Sequence, residues 1–91
     1  MPYDVKFHPE AEEDLAKLTE KDRVVAQRIL SKIKWLAVNC PNVNHEPLSG
    51  ELAGLFKRHV GDYRFIYLVD TYNQAIEIFA IGHRRDIYKT K

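Results

Sequence analysis

Ninety-one residues, 45% hydrophobic and 30% charged with a formal net charge of +1, describe a single small folded domain over residues 1–91 and exclude a disordered regulator. Cys40 is the sole cysteine, which rules out an internal disulfide or a thiolate metal cluster and suits a reducing, cytoplasmic setting. No apolar run reaches the roughly 20 residues that cross a bilayer, and the opening Met1-Pro2-Tyr3-Asp4 lacks a signal-peptide pattern, so no membrane partner is expected.

Tyr3, Val5 and Phe7 alternate with Asp4 and Lys6, the period of a strand with one covered face. A helix follows. Pro9 suits its first turn, Glu10, Glu12, Glu13 and Asp14 favour its positive end, and Ala11, Leu15 and Leu18 share a face. Thr19 with Asp22 three residues on resembles a capping signal opening a longer second helix, in which Val25, Ile29, Ile33 and Leu36 recur at helical spacing. Arg23, Arg28, Lys32 and Lys34 read as its solvated side. Asn39-Cys40-Pro41-Asn42 ends that helix, and Asn44 to Gly54, broken by Pro47 and Gly50, reads as a loop. A meander follows: a strand from Leu55 to Val60, a tight turn at Gly61-Asp62, a strand from Tyr63 to Val69, a turn at Asp70 to Asn73, and a strand from Ala75 to Ile81 ended by Gly82. The expected architecture is an α+β two-layer domain, with an N-terminal strand, a helical hairpin and a three-stranded antiparallel meander.

Charge is unevenly distributed along this plan. Residues 1–54 hold seven Lys/Arg against nine Asp/Glu, whereas residues 55–91 hold seven against four. The C-terminal part is therefore the candidate anion-facing surface. Lys57 and His59, two apart on a strand, point to one sheet face and Arg58 to the other. Arg64 returns beside them across the Gly61-Asp62 turn, and Arg84 and Arg85 follow the last strand. Cleaving RNA through its own 2′-hydroxyl needs a proton acceptor, cations for the phosphorane charge and a proton donor for the leaving 5′-oxygen, and this set contains such groups without a metal or cofactor. His59 is suited by its ordinary titration near neutrality, guanidinium groups grip phosphate in a plane, and Tyr88 can stack on a base. Plainer roles are available too: Arg64 pairing with Asp62 or Asp70, His83 capping the strand end, Tyr88 filling an edge. His8, His45, His59 and His83 lack metal-ligand spacing, and neither a nucleophile elbow nor a phosphate-binding glycine motif occurs.

The block from Leu48-Ser49-Gly50 through Leu55-Phe56-Lys57-Arg58-His59-Val60-Gly61-Asp62-Tyr63-Arg64-Phe65-Ile66-Tyr67, with the closing Ile81-Gly82-His83-Arg84-Arg85-Asp86-Ile87-Tyr88, resembles the RelE/ParE toxin superfamily over essentially the whole chain. The closing block is similar to its RelE-type branch. That resemblance implies a ribosome-dependent mRNA endonuclease that cuts in the A site, leaving a 2′,3′-cyclic phosphate and a 5′-hydroxyl and inhibiting translation. It also implies a cognate antitoxin, the ribosome with its mRNA as target, and operator DNA reached only through the toxin–antitoxin complex. By the same resemblance Lys57, His59, Arg64, Arg84 and Tyr88 are the expected catalytic residues, with Lys57, Arg58, His83, Arg85 and Lys89 as RNA contacts. Histidine at position 59 departs from the more usual arginine or lysine, which leaves the general base open between His59 and Lys57. The shared scaffold also permits a ParE-like inhibitor of DNA gyrase, and the basic strands alone are compatible with a noncatalytic protein-binding module.

Overall fold

The computed structural model describes residues 2–87. The alternating start forms strand β1, Asp4–Phe7, and Pro9 opens helix α1, Pro9–Lys21, with Glu10 and Glu12 in its first turn. α1 runs straight through Thr19, whose hydroxyl donates to the Leu15 carbonyl at 2.8 Å, so Thr19 does not begin the second helix. Asp22 does: its side chain accepts the Val25 N–H at 3.2 Å and caps α2, Arg23–Asn39.

Short 3₁₀ turns at Cys40–Asn42 and Gly50–Leu52 flank a two-residue strand, β2, Glu46–Pro47, within the stretch expected to be only loop. β3, Phe56–Val60, β4, Tyr63–Asp70, and β5, Ala75–His83, complete the sheet. β5 continues through Gly82 rather than stopping there, because Gly82 pairs with Arg64 and His83 with Tyr63. Gly61, at φ 61°, supplies the left-handed residue of the β3–β4 turn.

The five strands lie in the order β1-β5-β4-β3-β2. β1 pairs in parallel with β5, and every other neighbouring pair is antiparallel. Both helices cover one sheet face, where Ile29, Ile33 and Leu36 of α2 meet Phe65, Tyr67, Ile76 and Ile78, all of them essentially without solvent exposure. At about 1.5–3 kcal/mol per fully buried aliphatic or aromatic side chain, this layer is the main source of stability. Neither helix covers the other face.

Candidate functional site

Strand register decides which cations meet. Phe56, Arg58 and Val60 stand opposite Tyr67, Phe65 and Tyr63, so they share the helix-covered face. Lys57 and His59, the alternate positions, fall on the open face. His59 is the direct partner of Arg64, and Arg64 is the direct partner of Gly82. Three strands thus place His59, Arg64 and Gly82 in one row about 10 Å across, at about 4.8 Å per strand. Gly82 adds no side chain beside Arg64, and Ile87 packs over it from the turn after β5, 3.6 Å from where a Cβ would stand.

Arg84 reaches the same end of the sheet by a backbone bond: its N–H donates to the Asp62 carbonyl at 2.8 Å. Its Nε lies 4.0 Å from the Asp62 carboxylate, and Lys57 Nζ lies 3.5 Å from Oε2 of Glu46. Two loose ion pairs therefore bracket His59 and Arg64, neither of which has an acidic side chain within 4.0 Å among the described residues. Arg64 pairs with neither Asp62 nor Asp70; the Asp70 carboxylate takes the Asn73 N–H and side-chain amide instead, which lowers its pKa below the usual 3.8. Glu46, Asp62 and Arg84 are all more than half exposed, so each pair contributes at most about 1 kcal/mol. A phosphate oxygen can replace either carboxylate at little cost.

The remaining expected residues separate from this group. Arg58 lies on the helix side, donating to the Asn44 carbonyl at 2.7 Å and lying 5.6 Å from the Trp35 ring centre. His83 meets Tyr63 edge-on at 5.3 Å, and its Nδ1 accepts the Arg85 N–H at 3.1 Å; the ring serves the turn after β5. Arg85 is exposed within that turn. Tyr88 and Lys89 lie outside the described residues.

Glu46 is the group at this site that sequence reasoning missed. A two-residue strand has no alternation to detect, and the one available signal was Pro47, a residue that sheets accept at an edge. What holds Glu46 in place is its neighbour. His45 bonds the Tyr67 hydroxyl through Nδ1 at 2.7 Å and the Cys40 carbonyl through Nε2 at 3.0 Å. Burial pushes the Tyr67 hydroxyl and the Cys40 thiol above their ordinary pKa values, although the adjacent Arg58 charge works in the opposite direction. Cys40 is thus a protonated, buried side chain at neutral pH.

The model of the ParE toxin of type II toxin–antitoxin systems matches residues 5–88. The chain is 36% identical over 89 residues to Toxin RelG of Mycobacterium tuberculosis, covering 98% of this chain and 99% of that one. Among solved structures it is similar to a chain of the RelBE2 toxin–antitoxin complex of M. tuberculosis, with a TM-score of 0.67 and 32% identity over 92% of this chain and all of that chain. The YoeB/ParE toxin of Agrobacterium tumefaciens shares the fold at a TM-score of 0.74 and 21% identity, covering 88% of this chain and 96% of that one.

Proposed function

Since the chain belongs to the ParE/RelE/YoeB toxins of type II toxin–antitoxin systems, we propose that it is a ribosome-dependent mRNA endonuclease whose chemistry is carried by the open sheet face. The observation that supports this reading is the row of His59, Arg64 and Gly82 across three strands, with Lys57 and Arg84 at its flanks. In this mechanism neutral His59 takes the proton of the 2′-hydroxyl as O2′ bonds to phosphorus. Arg64 and Arg84 hold the charge that develops on the phosphorane oxygens. The P–O5′ bond then breaks, and the Lys57 ammonium returns a proton to O5′. The cognate antitoxin and the ribosome are the partners this reading requires.

Programmed ribosomes incubated with the protein should yield A-site cuts ending in a 2′,3′-cyclic phosphate. Arg64→Ala should slow cutting by about 100-fold or more, with its circular dichroism unchanged. Intact message under conditions where RelE-type toxins cut would reject the assignment.

A second reading has its own support, because the matching family model is that of the ParE toxin. The comparisons taken alone favour it over RNA cleavage. A ParE-like gyrase inhibitor would produce gyrase-linked DNA breaks with translation intact, and that pair of readouts separates the two.

A further inference from the structure

Strand β5 breaks its own alternation. Ile76, Ile78 and Ile81 all face the helices and are at most 5% exposed, so two residues rather than one, Phe79 and Ala80, separate the last two inward positions. The register carries the same irregularity: Tyr67 stands opposite Ile78 and Ile66 opposite Ala80, with Phe79 between them unpaired. A bulge of this kind re-aims a side chain, and here it turns a phenyl ring onto the face that neither helix covers. His8, which joins β1 to α1, meets it there: the two rings stack with centroids 3.9 Å apart and planes 23° from parallel. Glu77, between Ile76 and Ile78, faces the same way, and its Oε1 accepts from His8 Nε2 at 2.8 Å.

We propose that His8, Phe79 and Glu77 form a nucleobase subsite, which holds the base beside a phosphate gripped by Arg64 and accepts a base bearing an amino group over uracil. This inference rests on the RNA-cleaving function proposed above and names the part of the substrate that is read. Phe79 lies three residues from Gly82, about 10 Å along β5, and Gly82 is the direct neighbour of Arg64. Ile66 and Ala80 pair within that interval and bring no charge to it. A single nucleotide therefore reaches from the guanidinium to the rings.

The set is more than a clasp between β1 and β5, because an aliphatic pair would cover the same edge. The His8 and Glu77 side chains are 37% and 27% exposed, and among the described residues only Oε1 of Glu77 is engaged. Stacking on an aromatic ring is indifferent to the identity of the base. Glu77 supplies the discrimination, since a carboxylate only accepts. The amino group of cytosine donates to it, whereas uracil sets a carbonyl oxygen in the same place and repels it.

The probes are end-labelled oligocytidylate and oligouridylate of about six nucleotides, followed by fluorescence anisotropy. They share ring size and backbone and differ in the amino group that Glu77 reads. The wild-type protein should bind the cytidylate about tenfold more tightly. Glu77→Gln keeps an oxygen for His8 but both donates and accepts, and should bring the ratio close to one. Phe79→Leu keeps the apolar cover without the ring, and should weaken both oligomers about fivefold or more with their ratio kept. Both variants should retain the wild-type circular dichroism; if Phe79→Leu does not fold, Glu77→Gln decides alone, since a purely structural clasp would not alter base preference. Equal binding of the two oligomers by the wild-type protein, a preference that survives Glu77→Gln, or unaltered affinity in folded Phe79→Leu overturns the proposal. If Arg64→Ala weakens both oligomers and the wild-type protein shows no preference, the subsite alone fails; if neither oligomer binds, the RNA reading fails with it. A protein that prefers cytidylate through Glu77 yet leaves message intact on ribosomes keeps the subsite and loses the proposed cutting.

Discussion

His45 shows how one buried bond can position a distant charge. Its ring ties the Tyr67 hydroxyl to the Cys40 carbonyl, and the next residue, Glu46, stands opposite Lys57 in register. Tyr67→Phe keeps the ring but removes the group that His45 Nδ1 bonds. The expected loss is about 1–3 kcal/mol, the range for a buried polar atom left without its partner, measurable by urea unfolding. The pH dependence follows from the raised pKa of Tyr67. Folding favours the protonated phenol, so this contribution is fully present below the ordinary pKa of 10 and is lost as pH rises through the higher folded value. Stability of the wild-type protein should therefore decline above pH 10 more steeply than that of Tyr67→Phe; parallel alkaline profiles would show that the hydroxyl is not what titrates.

Among elements, the least obvious join is between α1 and β5. β1 pairs with β5 only from Ala75 to Ile78, because the chain turns into α1 at Pro9. Beyond Ile78 the outer edge of β5 needs another acceptor, and Asp14 provides one: its Oδ2 takes the Ile81 N–H at 3.0 Å. Asp14→Ala should cost about 1–3 kcal/mol and speed amide exchange at Ile81 well before global unfolding, whereas uniform exchange across β5 would count against a local role. This bond also marks where sequence reasoning stops. Period-two and helical spacing made β1, both helices and the meander legible because each pattern is local. Asp14 could be read only as a charge suited to the helix N-terminus, since its partner lies 67 residues away. The parallel pairing of β1 with β5 and the two-residue β2 were hidden for the same reason. At the candidate site, the neighbourhood of Lys57, His59 and Arg64 could be read from one turn and strand alternation, but the counter-charges Glu46 and Asp62 could not, because they depend on long-range register and a contact after β5.

At the scale of the whole molecule, two basic surfaces lie on opposite sides of the sheet and the net charge is only +1. Under the proposed function, long-range attraction to RNA would therefore be weak, and contact would come from local cations. If RNA lies on the open face alone, the permanent cations it meets are Lys57, Arg64 and Arg84. Each phosphate neutralised on a single strand adds about −0.7 to the slope of log K against log salt. Binding of a short single-stranded RNA, followed by anisotropy between about 50 and 200 mM salt, should give a slope near −2. Arg64→Ala should remove roughly 0.7 of that, and reversing charge at Arg28 and Lys32 should leave it unchanged. A slope near −5, about that expected for seven phosphate contacts, would mean that α2 with Arg23, Arg28, Lys32 and Lys34 joins the RNA path. The two faces would then form one continuous nucleic-acid track around the edge of β3.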